Sequence, residues 1–283
     1  MNPKAQAVRL GVDRGVREFR QSMGSSDQLY NVFTGLAALI VLWFQRDSAV
    51  EGSGVSLAAL TLPGMLGMGM VFSALVGPAG QLAINREDGT LLRAKALPHG
   101  MLGYVVGRTV QTSLDSLTGL LVVLAPGLFL VNVLADAGVA GVLGLLAVLA
   151  LGMASMLPWG AVAGSITKSP SGAMGITMLP MMGIVAISGI FYPITAMPGW
   201  LQAVAQVFPM YWAGHGARAA LLPDAAAAAE LGGSWRIPEM IGVLGVWTVV
   251  GFLLAPTILR RMARRESGSD MEQRRQAALQ RVR

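Results

Sequence analysis

The sequence predicts an all-α membrane protein with six transmembrane helices, and three observations carry this prediction. Hydrophobic residues make up 54% of the 283 residues and charged residues only 13%, against about 25% in a soluble globular domain. Six long apolar runs account for most of the chain, which indicates a single membrane domain. Of the 21 Lys and Arg residues, 18 lie in the segments that would share one side of the membrane. By the positive-inside rule, that side is the cytoplasm, and both termini lie there.

The first predicted element is an amphipathic helix that precedes the first span. Apolar residues from Val8 to Met23 recur at spacings of three and four, which places them on one helical stripe, while the arginines between them fall elsewhere. Such a helix lies in the membrane interface with its basic face toward anionic headgroups. A soluble helix packed on a partner protein is the alternative interpretation.

The predicted domain organisation has three parts. Residues 1–28 form a cytoplasmic segment with the interfacial helix, residues 29–259 form the transmembrane domain, and residues 260–283 form a basic cytoplasmic tail. The six predicted spans cover residues 29–44, 57–83, 109–131, 139–164, 172–190 and 237–259. Span 1 is near the short end of the roughly 17 to 25 residues that cross a bilayer. Span 2 contains two prolines and several glycines, which predict either a tilt or kink or a face of small residues for helix packing.

Residues 85–107 form a charged segment between spans 2 and 3. A lipid-buried helix would not carry so many charges without partners, so this segment is expected to lie in water; its charged residues near the start are Arg86, Glu87, Asp88, Arg93 and Lys95. Residues 90–96 favour a helix, and Pro98 with Gly100 end it before the chain re-enters the membrane. The prediction is therefore a short helix on the cytoplasmic face that is open to a soluble partner.

The external segment between spans 5 and 6, residues 191–236, begins too apolar for a solvated loop. Pro193, Pro198 and Pro209 prevent one continuous helix. Two short re-entrant helices within residues 191–222 fit this pattern, since non-helical backbone is tolerated at membrane depth only where protein or a water-filled cavity covers it.

Several side chains of this external segment are candidates for a role at the outer surface. The aromatic residues suit the membrane interface; they are Tyr192, Trp200, Tyr211 and Trp212. His215 and Arg218 have two interpretations, either substrate contacts at an outer mouth or an interfacial histidine and a snorkelling arginine.

The sequence offers little for catalysis. It has no cysteine, two histidines far apart, and no lysine that follows a glycine, as the phosphate-binding loop of an ATPase requires. ATP hydrolysis within this chain is therefore not expected, and no catalytic residue is proposed. Asp115 is the one acid well inside an apolar run. It is either part of a proton or substrate pathway, or is satisfied by Thr112, Ser116 or a neighbouring helix.

Two stretches resemble the ABC-2 family of exporter permeases. The family pattern E-x-G-T-L-x-x-x-x-x-x-P in the loop between spans 2 and 3 is met by Glu87, Gly89, Thr90, Leu91 and Pro98. A second pattern around the end of span 5 is met by Ser188, Gly189, Pro193, Pro198, Trp200, Leu201, Pro209 and Arg218. With the six-span layout, the resemblance covers nearly the whole chain and is greatest to the drug-resistance subgroup typified by daunorubicin exporters. Arg93 departs from the pattern, because an acidic residue often stands there.

The resemblance implies the permease subunit of a bacterial ABC exporter in the plasma membrane. Such a chain pairs with itself or a similar permease and docks a cytosolic ATPase, which binds the ATP and Mg²⁺, so no cofactor is expected in this chain. The expected docking residues are Glu87, Asp88, Gly89, Thr90, Leu91, Leu92 and Arg93. Among them, the two carboxylates are expected at the helix start, where they favour the helix dipole, and the two leucines as an apolar anchor.

The expected ligands follow from the same resemblance. The substrate is a hydrophobic or amphipathic small molecule or a lipid, membrane lipids surround the chain, and nucleic acid is not a partner. The re-entrant external segment would close the outer end of the path. The alternative function is an ion-coupled secondary transporter that uses Asp115; many such folds contain internal repeats, and the two halves of this sequence show no convincing self-similarity. A third possibility, a membrane-embedded enzyme, is disfavoured because this sequence shows no catalytic constellation.

The predicted orientation can be tested with single cysteines, because the chain contains none. In intact cells, a membrane-impermeant maleimide added outside is expected to label Ala228→Cys and to leave Thr90→Cys unlabelled until the membrane is permeabilised. Labelling of Thr90→Cys in intact cells would contradict a cytoplasmic location for the charged segment.

Overall fold

The computed structural model describes residues 2–24, 26–50, 52, 54–131, 133–167 and 169–265. Ten α-helices form the fold of this part of the chain, and the all-α prediction is confirmed. They are α1 (Pro3–Ser22), α2 (Ser26–Gln45), α3 (Leu57–Glu87), α4 (Thr90–Ala96), α5 (Gly100–Leu130), α6 (Val133–Ile166), α7 (Pro170–Ile187), α8 (Gly199–Ala205), α9 (Pro209–Leu221) and α10 (Ile237–Arg265). Short 3₁₀ turns at Ile194–Ala196, Asp224–Ala229 and Leu231–Gly233 lie in the external segment.

Local sequence explains where several helices begin. The side chains of Asn2, Ser56 and Ser169 each accept a hydrogen bond from a backbone N–H of the first turn of α1, α3 and α7. Pro3 and Pro170 stand at the first position of α1 and α7, where no backbone N–H is needed. These caps satisfy donors that a helix start leaves free.

Four helices are long and apolar enough to cross a membrane, counting only the residues that the structure describes. They are Leu57–Glu87, Ala137–Ile166, Pro170–Ile187 and Ile237–Met262, and they coincide with predicted spans 2, 4, 5 and 6. Predicted spans 1 and 3 fall on α2 and α5. The apolar stretch of α2, Val32–Gln45, is shorter than the four helices named above. The count of six spans stays a prediction. The tail beyond residue 265 lies outside the described residues.

The central helix is α3, which packs against α2, α5, α6, α7 and α9. It stays one helix through both of its prolines. Small residues bring its neighbours to backbone contact: a Cβ built on Gly67 would lie 2.3 Å from the Ala213 carbonyl oxygen of α9, and one built on Gly160 of α6 would lie 2.4 Å from the Leu75 carbonyl oxygen. Gly67 therefore agrees with a packing face in span 2, whereas Gly69 and Gly80 face open space.

The N-terminal helix α1 also packs through glycines, on the first half of α5. A Cβ built on Gly11 would lie 2.5 Å from the Gly103 carbonyl oxygen, and one built on Gly15 would lie 2.4 Å from the Gly107 carbonyl oxygen. Nearby, Glu18 accepts from Arg14 at 2.6 Å and pairs with Arg108 of α5 at 3.2 Å. The apolar stripe is not the packing face, since Val8, Val12 and Met23 remain exposed. That exposure suits contact with lipid, and the interfacial location stays a prediction.

Two glycines of α3, one packed and one open, give a matched test of this architecture. Gly67→Ala is expected to destabilise the protein by about 2 kcal/mol, because the new methyl group meets backbone that cannot move alone. Gly69→Ala, with no atom within 4 Å of its Cβ position, is expected to be neutral or slightly stabilising. Thermal unfolding in detergent measures both, and equal melting temperatures would contradict the backbone contact.

Candidate functional site

The short helix predicted at residues 90–96 is present as α4, and a buried leucine fastens it to the rest of the protein. Leu91 is 1% exposed and packs with Leu82, Tyr104 and Met262 of three longer helices. Beside this cluster, the Asn85 amide donates a hydrogen bond to the Tyr104 hydroxyl at 2.9 Å. Leu91 was expected to anchor a partner, but its side chain faces the interior of this chain. Leu92 is half-buried.

The turn into α4 depends on a glycine and an aspartate. Gly89 has a φ of 75°, a conformation that costs other residues free energy. The Asp88 carboxylate accepts a hydrogen bond from the Thr90 backbone N–H at 2.8 Å, as expected of an acid at a helix start. Glu87 is the last residue of α3, so its expected place at the start of α4 is wrong. Asp88 and Arg93 are exposed.

Arg86 was expected to lie in water, and this is also wrong. Its guanidinium is buried and donates to the carbonyl oxygens of Ser165 and Thr167 at 2.9 Å each and of Gly164 at 3.3 Å. The last carbonyls of a helix have no partner within the helix and carry partial negative charge. Arg86 satisfies them at the end of α6. It thereby links the α3–α4 junction to the turn between α6 and α7.

The two short helices predicted for the external segment are present as α8 and α9. Pro198 precedes α8 and Pro209 is the first residue of α9, so the prolines act as helix starts. Trp200 is 67% exposed, whereas Tyr211 and Trp212 are buried. The interfacial prediction for these last two aromatic residues is wrong.

Residues 206–208 join α8 to α9, and tryptophan side chains hold this connection. The connection is called the hairpin tip below, and α8 with α9 the hairpin. The indole N–H of Trp212 donates to the Gln206 carbonyl oxygen at 2.6 Å, and that of Trp247 donates to the Val207 carbonyl oxygen at 2.9 Å. The Trp247 carbonyl in turn accepts from the Trp159 indole at 3.1 Å. Carbonyls between two broken helices need such donors wherever water is scarce.

A buried charge cluster fastens α9 to the rest of the external segment. The Glu230 carboxylate accepts from Arg218 Nε at 2.5 Å and from His215 Nδ1 at 2.9 Å, and His215 Nε2 donates to the Trp235 carbonyl oxygen at 2.9 Å. Burial alone would raise the pKa of Glu230, but the charges of Arg218 and His215 outweigh it and hold that pKa at about 2.

This cluster contradicts the interpretation of His215 and Arg218 as interfacial, snorkelling side chains, because each is at most 2% exposed. Arg218 lines a small pocket with Gly189 and Glu230, and a substrate contact there stays a prediction. Glu230, one of the acidic residues of the external segment, was not singled out from the sequence. No pattern marked it, because its partners lie 12 and 15 residues away on a different element.

Asp115 has a structural partner on another helix. The Ser22 hydroxyl at the end of α1 donates to Asp115 Oδ1 at 3.0 Å. This agrees with the alternative in which a neighbouring helix satisfies the acid. Among the described residues, no group of three or more His, Asp or Glu could hold a metal ion.

An apolar cavity of about 150 Å³ adjoins the hairpin tip. Its walls come from α3, α6, α7, α10 and the start of α9.

A family model described as ABC-2 type transporter matches residues 15–222. No curated protein matches this chain.

The Glu230 cluster predicts a defined acid sensitivity. Glu230→Gln is expected to cost about 3 kcal/mol of stability at neutral pH, because Arg218 and His215 would lose their buried counter-charge. The pKa of Glu230 in the folded protein, about 2, lies below the ordinary 4.5. The carboxylate therefore contributes its full stabilisation of the folded state above about pH 4.5, and the difference in stability from the variant is lost as the pH falls toward 2. Melting curves in detergent across this range measure it.

The control is Asp224→Asn, an exposed carboxylate of the same external segment. It is expected to melt like the unaltered protein at every pH. A Glu230→Gln variant as stable as this control at pH 7 would contradict the buried cluster.

Proposed function

The chain belongs to the ABC-2 type transporter family and is therefore the permease component of an ABC transporter; on this premise we propose that it exports a hydrophobic or amphipathic molecule. ABC-2 permease domains work with a cytosolic ABC ATPase. In our proposal, two permease chains, identical or similar, stand over two such ATPase subunits in a bacterial plasma membrane. The ATPase subunits bind the ATP and Mg²⁺, and their closure drives the substrate outward.

The observation that carries this proposal is the construction of α4. Leu91 fastens the helix inward, while the side chains around it that remain exposed include Asp88, Arg93, Leu97 and His99. A surface of charged rim residues with an apolar residue among them suits a protein partner. We assign ATPase docking to this surface, with half-buried Leu92 at its edge.

A second feature explains how force applied to α4 would spread. The Leu91 cluster joins α4 to α3, α5 and α10, and Arg86 joins the same junction to the end of α6. Because packed elements move as units, a push on α4 would displace the cytoplasmic ends of these helices together. That is the behaviour required of a coupling helix.

The apolar interior supports a hydrophobic or amphipathic substrate. The membrane helices supply methionine, leucine and tryptophan to the cavity near the external hairpin, and charged side chains are absent from its lining. The rival function, a secondary transporter that uses Asp115, gains no support from the contact between Asp115 and Ser22.

The proposal is tested by reversing one exposed charge on α4. Arg93→Glu is expected to leave the permease inserted and folded but to weaken its co-purification with the ATPase encoded by the neighbouring reading frame at least tenfold, about 1.4 kcal/mol. ATP-driven export should fall in parallel. The matched control, Arg46→Glu, is also exposed but lies on the predicted external side, and it should bind the ATPase normally.

Three outcomes would contradict the proposal. The first is an unaltered permease that retains no ATPase, and the second is an Arg93→Glu variant that binds and exports like the control. The third is export that follows a proton gradient without ATP and disappears in Asp115→Asn. The last outcome would favour the secondary transporter.

A further inference from the structure

The apolar cavity lies at the tip of the α8–α9 hairpin; it is a half-open pocket, and a single chain supplies its lining. Its volume is about 150 Å³, and its lining includes Val71 of α3, Met156 and Trp159 of α6, Met181 of α7, Phe208 at the hairpin tip and Trp247 of α10. Five elements therefore meet around it, and the re-entrant hairpin forms one of its walls.

The predicted spans place the cavity at the depth of the lipid hydrocarbon. Val71 is 14 residues from the start of α3, about 21 Å along the helix axis. Trp247 is 10 residues from the start of α10, about 15 Å along its axis. Both starts are on the predicted external side, and the hydrocarbon core is about 30 Å thick. Met182 and Val246, beside the lining residues on α7 and α10, are exposed apolar side chains.

The chemistry of the walls selects the ligand. The indole N–H groups of Trp159 and Trp247 already donate to backbone carbonyls, so these two rings offer the cavity no hydrogen-bond donor. A polar or charged group placed there would lose its hydration without compensation. The occupant must therefore be apolar and uncharged.

The size and the aromatic walls indicate a ring. An engineered apolar cavity of about 150 Å³ in another protein stays dry and binds benzene. Trp159 and Trp247 meet edge to face with ring centroids 5.3 Å apart, and Phe208 lies 6.3 Å from Trp247. Aromatic rings favour such offset and edge-on arrangements with one another. Methionine side chains on the other walls adapt to irregular shapes.

We propose that this cavity binds an apolar ring of the transported molecule at mid-membrane depth, against the hairpin tip. The inference rests on the proposed export function and names the part of the substrate that the chain recognises. It places a substrate contact within each permease chain, on Phe208 and Trp247, in addition to any contact between two chains.

The test uses a small photoreactive probe, 3-trifluoromethyl-3-phenyldiazirine, with the permease alone in lipid nanodiscs. We expect saturable labelling of peptides that contain Trp159, Met181 or Trp247, reduced by excess toluene. Ile184→Phe, which places a ring into the cavity, should lower this labelling at least tenfold. The control, Leu179→Phe, adds the same ring to the same helix at a site 76% exposed, and it should label like the unaltered protein. Melting temperatures check that both variants are folded.

Two labelling results would overturn the proposal. One is labelling that rises in proportion to probe concentration and is equal in both variants, which indicates partition into lipid only. The other uses a phospholipid that carries a diazirine on its acyl chain. If this lipid cross-links the same residues, and the phenyl probe does not reduce that cross-linking, the occupant is a lipid.

Export with the ATPase present separates this inference from the proposed function. Ile184→Phe should lower ATP-driven export while ATPase binding stays normal, and unchanged export would overturn the cavity site but leave the exporter intact. If the unaltered protein shows saturable labelling but no ATP-driven export, the exporter proposal fails. The cavity would then bind an apolar ring but would not be a substrate site of an exporter.

Discussion

The structure depends on close approach of backbones around α3. Within a membrane, lipid tails are as apolar as side chains, so helices associate through van der Waals contact more than through the hydrophobic effect. Gly67 of α3 and Gly160 and Gly164 of α6 allow that contact, because a Cβ at each would lie 2.3 to 2.6 Å from a facing carbonyl oxygen. As a result α3 reaches both candidate regions: its first half touches α9 of the external segment, and its last residues lead into α4.

At two places where regular backbone stops, long or aromatic side chains satisfy the freed carbonyl oxygens. Arg86 serves the end of α6, tryptophans serve the hairpin tip, and Glu230 neutralises the charges that hold α9. These groups would be costly if left alone in low dielectric. Among the described residues, the buried Arg86 and Glu230 thus stand where helices end, whereas smaller buried polar residues such as Ser116 lie within helices.

Periodicity and prolines predicted most elements but few side-chain partners. The helix at residues 90–96, the two helices of the external segment and the long apolar helices follow from local patterns, because each depends on residues close in sequence. The burial of Arg86, Leu91, Arg218 and Glu230 does not, because their partners belong to other elements. A charged residue next to an apolar run looks solvated until the facing helix is known. The glycine face of α1 was missed for the same reason, since only α5 reveals its use.

The hydrogen bonds of Trp247 join the rotation of α10 to the depth of the hairpin. Its indole donates to Val207 while its own carbonyl accepts from Trp159, so turning α10 about its axis strains both bonds together. A shift of the hairpin relative to α10 would therefore break the bond to Val207. The depth of the hairpin and the orientation of α10 are thus held by the same tryptophan.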